Sequence, residues 1–261
     1  MLYKELLNSG NEQIKDFFKN VNLFDTQFEF NEFNNECLKE MYFNNFENNI
    51  KTVKELKENI PELKETCKSC GQYYMRPRNK SIKALDLQLG ILLENIIIDF
   101  FDKKLNIKAL HADSKNKSYP DCMILNSNRS IIAYFEVKYH SAPFITAINK
   151  INRYCYEGSA TLDYKKIKNQ LSLIESDLDR PTFYLHWIDY PCLKGIFFET
   201  SEQVKDYIYS SSPEFCRKER QGDFINKNIV KKIGYTEKIY SPLLTMGTFE
   251  EFVDIIRAMK K

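Results

Sequence analysis

The sequence predicts a mixed α/β fold, in which a central mixed β-sheet is flanked by helices and further helices lie toward both ends. Three observations lead there. A long apolar segment, Lys83 to Leu105, precedes two strand-like runs at 121–125 and 131–138 that a polar turn joins. A second amphipathic segment, Thr161 to Ile174, precedes two more strand-like runs at 182–188 and 195–198. Helix, strands, helix, strand is an order that buries a sheet between helices. The chain has 261 residues, 43% hydrophobic and 14% aromatic, which suffices for a sizeable core in one large domain or two modest ones.

Taken in order, residues 1–80 read as a helical amino-terminal region, either a subdomain or packing for the core, with amphipathic stretches ending near Pro61. Residues 81–200 carry the core, and 201–261 form a helical and basic carboxy-terminal extension. The length of 83–105 and its lack of proline favour a largely buried helix over a strand. Glu94 is out of place in it. Its neighbours at helical spacing are Leu87, Ile91, Ile98 and Phe101, and Gly90 removes a side chain that would cover it. A carboxylate in an apolar stripe costs several kcal/mol unless it is paired or serves a site. The choice therefore lies between a structural salt bridge or helix end and a site role. In 161–174, Tyr164, Ile167, Leu171 and Ile174 share one helical face. Thr200 to Gln203 and Thr248 to Glu251 have capping-box spacing, which starts helices near 201–209 and 249–259.

The hairpin carries the chemistry. Between the runs Asp121 to Leu125 and Ile131 to Lys138 lies Asn126-Ser-Asn-Arg-Ser130, a turn-prone segment. A turn centred on Asn128-Arg129 sets Asp121 opposite Glu136, where facing side chains are about 5 Å apart. Alternation puts Lys138 on the face of Glu136 and Val137 on the other. Two carboxylates so close repel, and a hard divalent cation such as magnesium relieves them, since carboxylate oxygens are its preferred ligands. Such a cation polarises a phosphoryl oxygen and acidifies a water, and Lys138 can hold that water or neutralise charge on phosphate. The bland alternative is an Asp121 turn cap beside a surface Glu136–Lys138 ion pair.

With its preceding helix, Pro120-Asp121 followed by Glu136-Val137-Lys138 resembles the PD-(D/E)XK nuclease superfamily, and most of all a type II restriction endonuclease, over roughly residues 83 to 200. The resemblance implies a restriction-endonuclease-like core of order αβββαβ. It implies that Asp121 and Glu136 bind magnesium (or manganese in its place), with the Val137 carbonyl as a third ligand and Glu94 reaching the metal through water. Asp121, Glu136, Lys138 and Glu94 become the catalytic set, and Gln170, Lys165 and Lys168 of the following helix face the site or DNA. It further implies a homodimer that cuts double-stranded DNA at specific sites in a prokaryotic cytoplasm, beside a companion DNA methyltransferase. A repair nuclease or junction resolvase of the same fold is the nearest alternative. A DNA-binding protein without catalysis, with zinc at Cys67 and Cys70, is the other.

Charge distribution agrees with a nucleic-acid partner. The net charge is only +2, but residues 1–65 hold 8 Lys/Arg against 13 Asp/Glu, which leaves the remainder basic. One basic stretch includes Arg76, Arg78 and Lys80, and another Arg217, Lys218 and Arg220; both carry aromatics. Each alone is equally well a solvated face. Cys67-Lys-Ser-Cys70 has the spacing of two zinc ligands, but no second such pair follows, and a helix ending at Gly71 explains it as well. Seven cysteines, an odd number, suit a reducing cytoplasm, and neither a secretory pattern nor a membrane-spanning run is visible. His140 follows Lys138 on the same face but reads as a rim residue, and His186 as structural.

Overall fold

A computed structural model of the chain describes residues 2–21, 58–63, 81–113, 115–116, 118–140, 159–190, 193–209, 216–217, 221–226, 229–235 and 238–260. In chain order the elements are α1 (Leu2–Val21), β1 (Ser81–Ile82), α2 (Lys83–Phe100, extended by a π-helical turn Phe101–Leu105), β2 (Lys108–His111), β3 (Cys122–Leu125) and β4 (Ile131–His140). Then come β5 (Ser159–Asp163), α3 (Tyr164–Leu173, extended by a π-helical turn Ile174–Leu178), β6 (Thr182–Asp189), β7 (Lys194–Thr200) and α4 (Ser201–Tyr209). The last are β8 (Cys216–Arg217), β9 (Gln221–Asn226), β10 (Ile229–Tyr235), β11 (Lys238–Pro242), β12 (Gly247–Thr248) and α5 (Phe249–Met259).

The central sheet has six strands in the order β12-β7-β6-β4-β3-β2. It is mixed: β4 and β6 run parallel, and every other neighbouring pair is antiparallel. The order α2, β2, β3, β4, α3, β6 agrees with the expected αβββαβ pattern. β5 lies outside it, pairing with β11, which also pairs with β8, while β1, β9 and β10 make a third sheet. Two sequence expectations are corrected here. Thr161 to Asp163 belongs to a strand, because these residues pair with β11 before the chain turns into α3. The carboxy-terminal region is not mainly helical: β8 to β11 occupy much of it between α4 and α5.

Helices cover both faces. On one side α1, α2 and α5 bury Leu6, Leu93, Ile97 and Phe252 against Phe135, Val137, Leu185 and Trp187. Phe252 contacts the rings of Phe101, Phe135, Phe183, Phe198 and Phe249, so α5 is keyed into the sheet by one side chain. Burying a residue of that size contributes roughly 1.5–3 kcal/mol. Gly10 lets α1 approach α2, since a Cβ there would lie 2.6 Å from Ile96 Cγ2. On the other side, Ile167 and Leu171 of α3 and Val204 of α4 pack on Tyr184 and Ile239. Both capping boxes form: Thr248 with Glu251 starts α5, and Thr200 with Gln203 starts α4.

The β3–β4 turn fixes what faces what. Asn126 Oδ1 accepts from the amides of Asn128 and Ser130 at 3.0 and 2.9 Å, and Arg129 takes a left-handed conformation, φ 63°. The pair Leu125–Ile131 centres this turn on Asn128, a register that would set Asp121 opposite Phe135. A bulge intervenes. Ile124 pairs with Ala133, so Ile132 is an extra residue in β4, and beyond it Cys122 pairs with Phe135. Continued one step, that register sets Asp121 opposite Glu136. The predicted juxtaposition is therefore reached by a turn and a bulge together. Arg180 Nε donates to the Ile131 carbonyl at 3.0 Å and ties the bulge to the chain entering β6.

Inserting an alanine between Met123 and Ile124 should shift the start of β3 against β4 by one residue, set Asp121 opposite Val137 and drive its carboxylate toward the apolar layer under α2. We expect unfolding in urea to lose more than about 3 kcal/mol. An unchanged midpoint would contradict this register.

Candidate active site

Glu136 lies at the centre of the α3-facing side of the sheet and is fully buried. Its Oε1 accepts from the ammonium groups of both Lys138 and Lys166, and its Oε2 accepts from Gln170 Nε2 at 3.0 Å. Lys138 arrives by strand alternation, two residues along β4, whereas Lys166 and Gln170 are one turn apart on α3 and face the sheet together. Burial alone would raise the Glu136 pKa, but the two lysines outweigh it and hold the carboxyl at about 2. Burial likewise works against the Lys138 charge, and Glu136 and Asp121 overcome it, so its ammonium pKa is raised. The Glu136 and Lys138 charges both persist at neutral pH.

Asp121 stands at the mouth of the same hairpin. Its Oδ2 accepts from the Val137 amide at 2.9 Å, across the strand end where β3 stops. Burial, and next the charge of Glu136, push its carboxyl pKa up. Glu94 joins from α2. Its side chain is 13% exposed, and burial, then Asp121 and Glu136, raise its pKa from 4.5 to about 7. The apolar stripe expected around Glu94 is only partly real: Leu87 and Ile91 are 67% and 44% exposed, so this face of α2 opens to solvent at its amino-terminal end. A Cβ on Gly90 would lie 3.9 Å from Glu94 Oε1, consistent with glycine leaving that carboxylate approachable.

A second polar string runs deeper along the α3 side. His140 Nε2 meets His186 Nδ1 at 3.0 Å, and His186 Nε2 meets Glu199 Oε1 at 2.9 Å. Ser241 Oγ donates to the same Glu199 oxygen at 2.7 Å. His186 and Glu199 are fully buried. Burial, then His186 and Lys138, hold His140 well below the usual histidine range. His140 thus falls on the Lys138 face, as alternation requires, and its partner is a histidine rather than bulk solvent.

The sequence-predicted residues divide cleanly. Asp121, Glu136, Lys138 and Gln170 are brought together around one point, with Glu94 electrostatically coupled to them. Lys165 and Lys168 are exposed, and Lys168 Nζ lies 6.0 Å from the Tyr164 ring. Lys166 is the lysine that reaches Glu136; sequence reasoning missed it, although it stands four residues before Gln170 on the same helical face. His111, Asn95 and Cys122 were also missed; they gather beside Glu94. Cys67, Cys70, Arg76, Arg78, Lys80, Lys218 and Arg220 lie outside the described residues, and Arg217 is described only as backbone in β8.

Because the Glu94 pKa is raised, the folded chain keeps a proton that the unfolded chain releases between pH 4.5 and 7. Stability should therefore fall as pH rises through that window. Glu94→Gln removes the cost, so variant and wild type should match near pH 4 and separate by up to about 3 kcal/mol by pH 8 in metal-free urea unfolding. Parallel pH profiles would contradict the assignment.

Set against known proteins, the chain matches no protein-family model and no curated protein. A comparison with solved structures finds D212, a nuclease from a fusselovirus, at 13% sequence identity and a TM-score of 0.35, over 66% of this chain and 89% of that one. A likeness of that size carries no argument; the functional reading rests on the geometry of the site.

Proposed function

We propose that this protein is a divalent-metal-dependent nuclease of the PD-(D/E)XK type, hydrolysing phosphodiester bonds of double-stranded DNA. The observation that carries the reading is the meeting of Asp121, Glu136 and Lys138 at one end of the β3–β4 hairpin, with Glu136 buried and ionised. Burial and repulsion between the carboxylates raise the Asp121 pKa, a cost that a bound cation would relieve. Asp121 and Glu136 would hold that cation. The Val137 amide points to Asp121, and in a strand the carbonyl of the same residue points the same way, which supports it as the third ligand. Glu94, ionised above about pH 7, would contribute through water. Magnesium is the metal that suits an all-oxygen set, with manganese able to substitute. When bound, it would supply polarisation of a phosphoryl oxygen and acidification of a water.

The chain's own groups have distinct tasks. Lys138 Nζ keeps its proton and donates either to the attacking water or to a non-bridging phosphate oxygen, where charge grows as the 3′ oxygen leaves. Lys166 and Gln170 restrain Glu136, so that its carboxylate does not swing when the site fills. The basic stretches around Arg76 and Arg217 would grip the DNA backbone in a salt-dependent way. Site-specific type II restriction by a homodimer, in a cytoplasm that also holds a cognate DNA methyltransferase, is the role we favour for this chemistry.

The test is incubation of purified protein with unmodified plasmid and magnesium. We expect cleavage to 5′-phosphate and 3′-hydroxyl ends, lost on chelation. Asp121→Asn, Glu136→Gln and Lys138→Met should each slow it on the order of a thousandfold, and Asp121→Asn, which relieves repulsion among the carboxylates, should do so with the urea midpoint retained. Folded variants that cut as fast as wild type would refute the assignment.

A further inference from the structure

A different cluster stands on the opposite face of the same hairpin. His111 and Cys122 are register partners across β2 and β3, so their side chains lie next to each other on one side of the sheet. That side is covered by α2, which lowers Glu94 onto them. Glu94 Oε2 lies 3.3 Å from His111 Nδ1, and a carboxylate oxygen, an imidazole nitrogen and the Cys122 sulfur all fall within 4.8 Å of one another. Ligand atoms around a tetrahedral zinc, with bonds of about 2.0–2.3 Å, are roughly 3.3–3.8 Å apart. Only a small contraction separates the cluster from that geometry.

The histidine is already oriented for it. His111 Nε2 is 2.8 Å from Asn95 Oδ1, which can only accept, so Nε2 donates there and the ring turns Nδ1 toward Glu94. Nδ1 and the Glu94 oxygen, 3.3 Å apart, are two acceptor-capable atoms at the separation of neighbouring ligands around one ion. A ligating histidine whose second nitrogen donates to a carbonyl is the usual outer-shell arrangement of zinc sites. His111 is 42% exposed, which leaves a path for an ion and a coordination position open to water. Cys122 is buried, so its sulfur is shielded from bulk solvent.

We propose that Glu94, His111 and Cys122 form a soft divalent-cation site, selective for zinc over magnesium. The donor set decides the metal: thiolate and imidazole favour zinc and disfavour magnesium. On binding, Cys122 loses its proton to solvent, and the thiolate and carboxylate together balance the two positive charges. Glu94 is shared with the magnesium site proposed above, whereas His111 and Cys122 belong to this site alone, and the site is tested without any activity measurement.

The experiment uses the full chain carrying Cys67→Ser and Cys70→Ser, stripped of metal and titrated with zinc against a chelating dye, then with cobalt(II) as a spectroscopic probe. We expect one equivalent of zinc and, with cobalt, an intense near-ultraviolet thiolate-to-metal band. His111→Ala, at an exposed position, should weaken zinc at least tenfold. Asn95→Leu should weaken it about 10–100-fold, and Cys122→Ser should abolish the cobalt band. No zinc binding, or zinc binding of unchanged affinity in His111→Ala, would overturn the proposal. So would a cobalt complex lacking the thiolate band.

Discussion

Side chains alternate along a strand, so a slip of one residue between β3 and β4 would exchange the faces on which Asp121 and its neighbours stand. The turn at Asn126 to Ser130, taken alone, produces that slip, and the extra residue at Ile132 reverses it. The place of Asp121 in the site depends on this correction. Asp121 comes to the level of Glu136, its carboxylate bonds the Val137 amide, and Cys122 with Phe135 is left for the α2 side of the sheet. A bulge next to a functional constellation fits the general role of bulges, which re-aim side chains without breaking the sheet.

Electrostatics explain why such a polar face survives burial. Glu136 is buried, yet its oxygens accept from two ammonium groups and one amide, so its charge costs little to keep. The same face carries Tyr184 and Glu199, register partners in a row with Glu136 across β4, β6 and β7. Tyr184 Oη, Glu199 Oε2 and Gln170 Oε1 are buried without a hydrogen-bond partner among the described residues. Three such atoms along one face mark a region built for polarity at some expense in stability. The other face is the reverse: aromatic rings interlock around Phe252 and hold α5 and α2 rigidly behind the strands that carry the charges.

Much of this was legible in the sequence because it rests on local rules. Period-2 alternation placed Lys138 and His140 with Glu136, helical periodicity found α2 and the Ile167–Leu171 face of α3, and capping-box spacing found the starts of α4 and α5. What failed depends on distant partners. β5 resembled the start of a helix until β11, some eighty residues on, was available to pair with it. Lys166 was passed over for Lys165 and Lys168, although its spacing from Gln170 puts the two on one helical face; only the position of Glu136 in the sheet showed what that face meets. The gathering of Glu94, His111 and Cys122 needed both the β2–β3 register and the seating of α2, and β2 has only four residues to signal it.

The central claim is spatial: a divalent cation binds between the carboxylates of Asp121 and Glu136. Crystals grown with manganese and measured at its absorption edge test it directly. We expect an anomalous peak about 2.1–2.3 Å from an oxygen of each carboxylate, with Lys138 still on the same face. A manganese ion bound elsewhere, with no peak within reach of the Asp121 and Glu136 carboxylates, would contradict it.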